Sequence, residues 1–441
     1  MSKHFLSSFF LFLFLFYGCA GDRRLVLRIA DWAGPDEMAI VERALRRFEQ
    51  LHPGVRVVQE SIGVSYKEKI LTSIAAGDPP DVFLLDSIDV PAFVNRGVLL
   101  DLAPFASRVG LEVASFFPHV LAIAQRDGSL YAFPKDFTPM VLYYNRALFD
   151  EARVEYPKPG WTWDDFLQTC RRLRGDADGN GKADRFATFV PKYFYLWQPW
   201  VWLNGGDVLS PDGTHARGYL DSPATQQALQ FLVDLHVKYD VTPRLDIERN
   251  PQARHRNQFY LGTIAMYESG HWWLPELRKF MAQRRLRIGV APLPVSKGMP
   301  RVNIMYESGW CVPVAARHRK WSVQLAAFLA GAETQQMVSQ TGLAISAMPA
   351  VAENIAAADT TGVEKVFLDE VQYCRQPWGT IIEEFRTVQD VLQEVMDRMT
   401  WQQEDAATAT TAVAEKIDAI LQDLRRTKES SDGTASTRPQ L

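Results

Sequence analysis

The sequence predicts an α/β protein of two lobes built on doubly wound sheets, with several crossings of the chain between them. Three observations carry this expectation. At 441 residues the chain is too long for one simple core, and 47% apolar residues can fill two. Residues 24–85 read strand, helix, strand, helix, strand, the doubly wound pattern. Residues 130–166 then change character several times, which a single lobe would not require.

Residues 24–30 alternate into a first strand, and Asp31-Trp32-Ala33-Gly34-Pro35 is the loop at its end. Pro35-Asp36-Glu37 opens a helix with Met38, Val41, Leu45 and Phe48 on one face. Residues 53–59 form a second strand, 66–76 a helix stopped by Gly77-Asp78-Pro79-Pro80, and 81–85 a buried strand of the parallel type. Ligands of doubly wound sheets bind beyond the carboxyl ends of the strands. That rule selects Asp31, Trp32, Asp86 and Ser87, although Asp86 serves equally as a cap for the next helix.

In the middle stretch, Tyr131-Ala132-Phe133 reads as a short strand ended by Pro134, whose missing N–H stops sheet pairing. Residues 140–144 are a short apolar run suited to a strand buried on both faces. Asn145 caps a helix from Arg146, and Thr162 with Asp165 forms a capping box for one from Trp163. The chain is therefore expected to leave one lobe at Lys135-Asp136-Phe137-Thr138, with Asp136 and Thr138 at a hinge beside the ligand. The plainer alternative is a strand and helix pair inside one domain.

A formal charge of −4 gives no reason to expect nucleic acid. Cys19, Cys170, Cys311 and Cys374 contain no C-x-x-C pair, which removes support for zinc or thioredoxin-like chemistry, and four are too few for a disulfide-built scaffold. Lys3 and His4 precede the apolar residues 5–18, broken only by Ser7 and Ser8, the length of a signal-peptide core and short for a membrane span. The run ends at Phe16-Tyr17-Gly18-Cys19, which resembles a bacterial lipoprotein box. Residues 1–18 are then a signal peptide, Cys19 the lipidated residue and 19–24 a tether holding the protein at a membrane without spanning it.

Three further motifs bear on chemistry. Asp176, Asp178, Asn180 and Asp184, with Gly181 at loop position 6, have the spacing that wraps calcium, but Ala187 stands where a bidentate Glu belongs. The alternative is an Asp/Asn/Gly-rich turn, so structural calcium is a candidate and no cofactor is required. Residues 193–207 are the densest aromatic stretch, where Trp197 and Trp200, with Trp202 or Tyr195, would wall a ligand. Met305-Tyr306-Glu307-Ser308-Gly309-Trp310 echoes Met266-Tyr267-Glu268-Ser269-Gly270; its functional version sets Tyr267, Glu268, Tyr306, Glu307 and Trp310 around one cleft.

The order Y-A-F-P, apolar strand, Y-Y-N-R, L-F and W-T-W-D-D-F, followed by N-G-G-D, G-x-x-A-M and Gly270-His271-Trp272, resembles the sugar-binding class of extracellular solute-binding proteins of ABC importers, the relatives of maltose-binding protein. The resemblance implies a Venus-flytrap fold with lobe 1 at 25–135 and 301–346, and lobe 2 at 136–300 and 347–426. Residues 427–441 are expected to be disordered, from their Ser, Thr and charge content. Trp272 stands where the family's G-P-W turn stacks on sugar, with His271 replacing Pro, and Trp378 where relatives place a last aromatic. Implied partners are a carbohydrate, ABC permease subunits and a membrane reached through the lipid, for a monomer on the periplasmic or outer face of a bacterial membrane. The alternatives are a polyamine or glycerol-phosphate ligand on the same fold, or a secreted glycoside hydrolase using Glu268 and Glu307.

Overall fold

The computed structural model describes residues 24–176, 179–181, 183–243, 251–283 and 286–435. The expected signal peptide, Cys19 and Asp178 lie outside these residues. The chain opens as read: β1 (Leu25–Asp31), α1 (Pro35–Leu51), β2 (Val55–Ser61), α2 (Tyr66–Ala75) and β3 (Val82–Asp86). Pro35 begins α1, where a missing N–H costs nothing. Strand β1 pairs in parallel with β2 and with β3, as a doubly wound start requires.

The first lobe is completed from far along the chain. Strands β4 (Phe133–Pro139), β8 (Asn303–Cys311), β9 (Ile345–Ser346) and β10 (Cys374–Arg375) join the same seven-stranded sheet. Its order is β9-β4-β8-β3-β1-β2, with β10 on the side of β8, and β8 runs antiparallel to both β3 and β4. Phe83, Phe93, Phe133, Phe137 and Trp310 are fully buried in its core.

The second lobe carries β5 (Val141–Asn145) between β6 (Met266–Ser269) and β7 (Ile288–Ala291). All three strands run antiparallel, whereas a doubly wound sheet was expected in each lobe. The same stretch of chain carries α3 (Trp163–Leu173), opened by the Thr162/Asp165 capping box, α4 (Phe194–Leu203) and α5 (Pro223–Val237), of which α4 and α5 pack together. Downstream come α6 (Val363–Glu370), α7 (Phe385–Thr400) and α8 (Ala406–Ala435); α7 packs on α4, α5 and α8. The last helix continues past Arg426, into the stretch expected to be disordered.

The first crossing differs from expectation. Pro134 does not end its strand: β4 runs through it to Pro139, and because Pro134 and Asp136 pair with the consecutive Gly309 and Ser308 of β8, Lys135 is an extra residue on β4 that shifts the register next to the missing N–H. The chain changes sheets at Met140, between β4 and β5, so Lys135–Thr138 are sheet residues rather than linker. Asn303 holds this point. It accepts the Met140 N–H at 3.1 Å, donates to the Met140 carbonyl at 2.7 Å and donates to Glu370 at 2.7 Å. Both crossing strands are thus tied together where they pass.

Candidate binding cleft

Strand ends from the first lobe and helix or turn ends from the second meet at a cavity of about 430 Å³, within the usual ~300–1,000 Å³ of small-molecule sites. The loop after β1 supplies Trp32, the first turn of α1 Glu37, and the end of β3 Asp86. Strand β4 contributes Lys135, Asp136 and Thr138, and β8 contributes Tyr306, Glu307 and Ser308. From the second lobe come Tyr195 of α4 and Trp272; Arg386 and Gln389 extend from the start of α7. A second cavity of about 400 Å³ shares Trp32, Asp86 and Arg386 and lengthens the cleft toward Tyr66 and Lys67.

The charges are arranged in pairs with one exception. Lys135 bonds Glu37 at 3.1 Å and also Asp136, whose other oxygen takes the Ser308 hydroxyl at 2.6 Å. Burial alone would lower the Lys135 ammonium, but Asp136 and Glu37 outweigh it and hold it above its ordinary range. Arg386 clasps Asp89 at 2.5 Å and stands 4.0 Å from Asp86. Burial would lower the guanidinium; Asp89 and then Asp86 raise it instead. Burial and the neighbouring Asp89 push Asp86 up to about 6, only partly offset by Arg386. Glu307 is the exception: 6% exposed, with no hydrogen bond or ion pair among the described residues. Burial, then Asp136 and Asp86, push its carboxyl well above the usual range.

The aromatic walls are held from behind. Trp32 meets Tyr66 edge-on at 5.1 Å, and the Tyr66 hydroxyl donates to the Leu84 carbonyl at 2.7 Å. Tyr306 donates to the Tyr195 carbonyl at 3.2 Å, joining the two lobes. Trp272 follows a turn whose His271 N–H donates to Thr138 Oγ1 at 2.8 Å. The His271 ring is fully buried, with Nε2 2.6 Å from Glu364, so side-chain bonds fix this turn. Burial would raise Glu364, but His271 and Arg278 hold it below the usual carboxylate range.

Of the expected site residues, Trp32, Asp86, Asp136, Thr138, Tyr195, Trp272, Tyr306 and Glu307 line this cavity, and the others do not. Asp31 is buried, accepting from the Ala33 N–H and from Gln59 at 2.6 Å, and Ser87 is buried just after the end of β3. Trp197, Trp200 and Trp202 are core residues because α4 is apolar on all sides and is surrounded. Trp200 donates to Glu268 at 2.8 Å, and Tyr267 stacks on Phe189 at 4.5 Å, so this half of the repeat is packing. Trp310 lies further along β8, inside the first-lobe core. Trp378 is buried and, like Trp202, donates to Asp207 at 2.8 Å; Arg375 joins the same carboxylate. Glu268 and Glu307 therefore do not share a cavity.

Sequence reasoning missed Glu37, Lys135, Arg386 and Gln389 as lining residues. Glu37 was within reach, since the strand-end rule extends to the helix that follows. Arg386 and Gln389 lie three apart at the start of α7, but nothing local says which lobe edge that helix end meets. In the calcium-like loop, Asp176 accepts the N–H groups of Asn180 at 3.1 Å and Gly181 at 2.7 Å. Among the described residues no group of three or more His, Cys, Asp or Glu is placed to hold a metal. Cys170, Cys311 and Cys374 are unpaired, and no described helix is long and apolar enough to cross a membrane.

Comparison with known proteins matches this geometry. An ABC substrate-binding protein of Listeria monocytogenes, solved in complex with cycloalternan, superimposes with a TM-score of 0.79 at 20% identity, covering 90% of this chain and 99% of that one, which shows a common fold. The uncharacterized lipoprotein in the oleD 5′ region of Streptomyces antibioticus is 30% identical over 173 residues, 37% of this chain and 38% of that protein. The sn-glycerol-3-phosphate-binding periplasmic protein UgpB of Salmonella typhimurium is 22% identical over 276 residues, 60% of each chain. The chain thus spans less than two thirds of these two curated relatives. The profile described as bacterial extracellular solute-binding protein matches residues 32–336, well over half of the sequence. With that match on a two-lobed fold with an inter-lobe cleft, the chain belongs to the bacterial extracellular solute-binding protein family.

Proposed function

We propose that the protein captures a carbohydrate between its lobes and passes it intact to the membrane-spanning subunits of an ABC importer. The observation that carries this reading is one cavity in which aromatic faces (Trp32, Tyr195, Trp272, Tyr306) stand beside carboxylates (Asp86, Asp136, Glu307). Sugar C–H faces pack on such rings, and hydroxyls donate to carboxylates that no water reaches once the lobes close. Family membership and the cycloalternan bound to the Listeria relative agree with it. A glycerol-phosphate ligand, as in the name of the Salmonella relative, fits the cleft less well. Both of its cations, Lys135 and Arg386, are already engaged by acidic partners. Hydrolysis is disfavoured because Glu268 lies in the core behind Trp200, leaving Glu307 without that partner.

In this reading Cys19 carries the lipid and the monomer works on the outer or periplasmic face of a bacterial membrane. Membership of an extracellular family and a lipoprotein relative support that placement. Native mass spectrometry of the protein purified from cells tests the central claim. A retained, uncleaved carbohydrate is expected; a retained solute without sugar rings, or turnover of an added oligosaccharide, would overturn it.

A further inference from the structure

The cleft has more negative charge than a neutral sugar needs. Its lining holds four carboxylates, Glu37, Asp86, Asp136 and Glu307, and two cations, Lys135 and Arg386. Neither cation is free to serve Glu307. Lys135 is shared between Glu37 and Asp136, and Arg386 is drawn toward Asp89, with Asp86 next to it. Lys67 also leans on Asp89 and Glu384. The charged groups that bear on Glu307 are Asp136 and Asp86, both of its own sign. Its side chain is more than nine-tenths buried, reaches the cavity and has no partner among the described residues.

A carboxyl in that position is costly to ionise, and burial with two acidic neighbours raises it well above the usual carboxylate range. A ligand hydroxyl would supply one modest hydrogen bond. A ligand ammonium would supply three donors and a full positive charge, and would offset the penalty that Asp136 and Asp86 place on ionising Glu307. The neighbouring rings of Tyr195, Tyr306 and Trp272 are favourable surroundings for a cation as well as for a sugar face.

We propose that the cleft selects a carbohydrate bearing a protonated amine, with Glu307 as the residue that receives the ammonium. This rests on the carbohydrate reading above and narrows it. On binding, Glu307 gives its proton to solvent and remains as the carboxylate of an ion pair. Affinity therefore rises with pH until the amine of the ligand itself deprotonates.

Isothermal titration calorimetry tests this with glucosamine, galactosamine and the chitosan trisaccharide. Glucose, galactose and cellotriose are the matched neutral sugars, and spermidine is the amine without a ring. At least one amino sugar should bind tenfold or more tighter than its neutral counterpart. Its heat in buffers of different ionisation enthalpy should report net proton release on binding, absent for the neutral sugars. Glu307→Gln should remove both the preference and the proton release while remaining folded. Equal or tighter binding of a neutral counterpart, or no binding by any amino sugar, overturns the amine assignment and leaves carbohydrate capture standing on the neutral sugars. Binding of spermidine alone overturns both.

Discussion

At the scale of single residues, the tryptophans divide by what their rings touch. Trp272 is 41% exposed and lines the cleft, whereas Trp197 is fully buried against Phe194 at 4.9 Å. Trp272→Ala should weaken ligand binding tenfold or more, about 1.4 kcal/mol, with the ligand-free melting temperature unchanged within error. Trp197→Ala should instead destabilise the fold by about 3–5 kcal/mol. Gly270 sharpens the test: a Cβ there would collide with the Trp272 ring, so Gly270→Ala should displace the indole and reproduce the binding defect with the ring still present. Calorimetry beside thermal melts separates these outcomes, and an equal stability loss for Trp272→Ala would return that ring to the core. Trp32 was legible because it follows a strand end, and Trp272 because Gly270-His271-Trp272 resembles a family turn. It misplaced Trp197, Trp200 and Trp202 because an aromatic-rich segment looks the same whether a ligand or a core covers it. The usable clue was that α4 has no polar face, which means burial all round.

At the scale of elements, the strand and helix alternation up to Asp86 was readable from periodicity, since each element there makes local contacts of a regular kind. The crossing was not, because Pro134 reads as a strand terminator unless its pairing with β8 and the register shift at Lys135 are known, and that partner strand lies far along the chain. The same non-locality hid the hinge clamp. Asn303 is 1% exposed and bonds Met140, Glu370 and the Ile304 N–H. Replacing it strands both polar groups of the Met140 backbone and leaves Glu370 with Arg301 alone. Asn303→Ala should therefore cost about 3 kcal/mol of stability, at the upper end for buried polar groups losing a partner. Because the clamp joins the crossing strands, the variant should also show faster amide exchange at Met140 and Val141 than at β1. Uniform exchange across both lobes would mean that Asn303 matters only as core filling.

At the scale of the molecule, buried carboxyls in both lobes set how stability depends on pH. Burial raises Glu268 well above the usual range, with only the Trp200 N–H opposing it, and Glu307 and Asp86 are also raised, Asp86 to about 6. A carboxyl whose folded pKa exceeds its unfolded value near ~4 binds more protons in the folded state. Its contribution is complete below the unfolded pKa and is lost as pH rises through the folded one. Glu364 and Glu384 act oppositely: both are held low against burial by basic partners, and their contribution is lost only as pH falls below the ordinary carboxylate range. Between those limits the raised group prevails, so the ligand-free protein should melt at a higher temperature at pH 5.5 than at pH 7.5. Glu268→Gln keeps an acceptor for Trp200 but cannot ionise, so it should reduce that difference by raising the melting temperature at pH 7.5. A melting temperature that climbs steadily from pH 5.5 to 7.5, unaltered in slope by Glu268→Gln, would mean that this carboxyl ionises at little cost, and that water reaches the space behind Trp200.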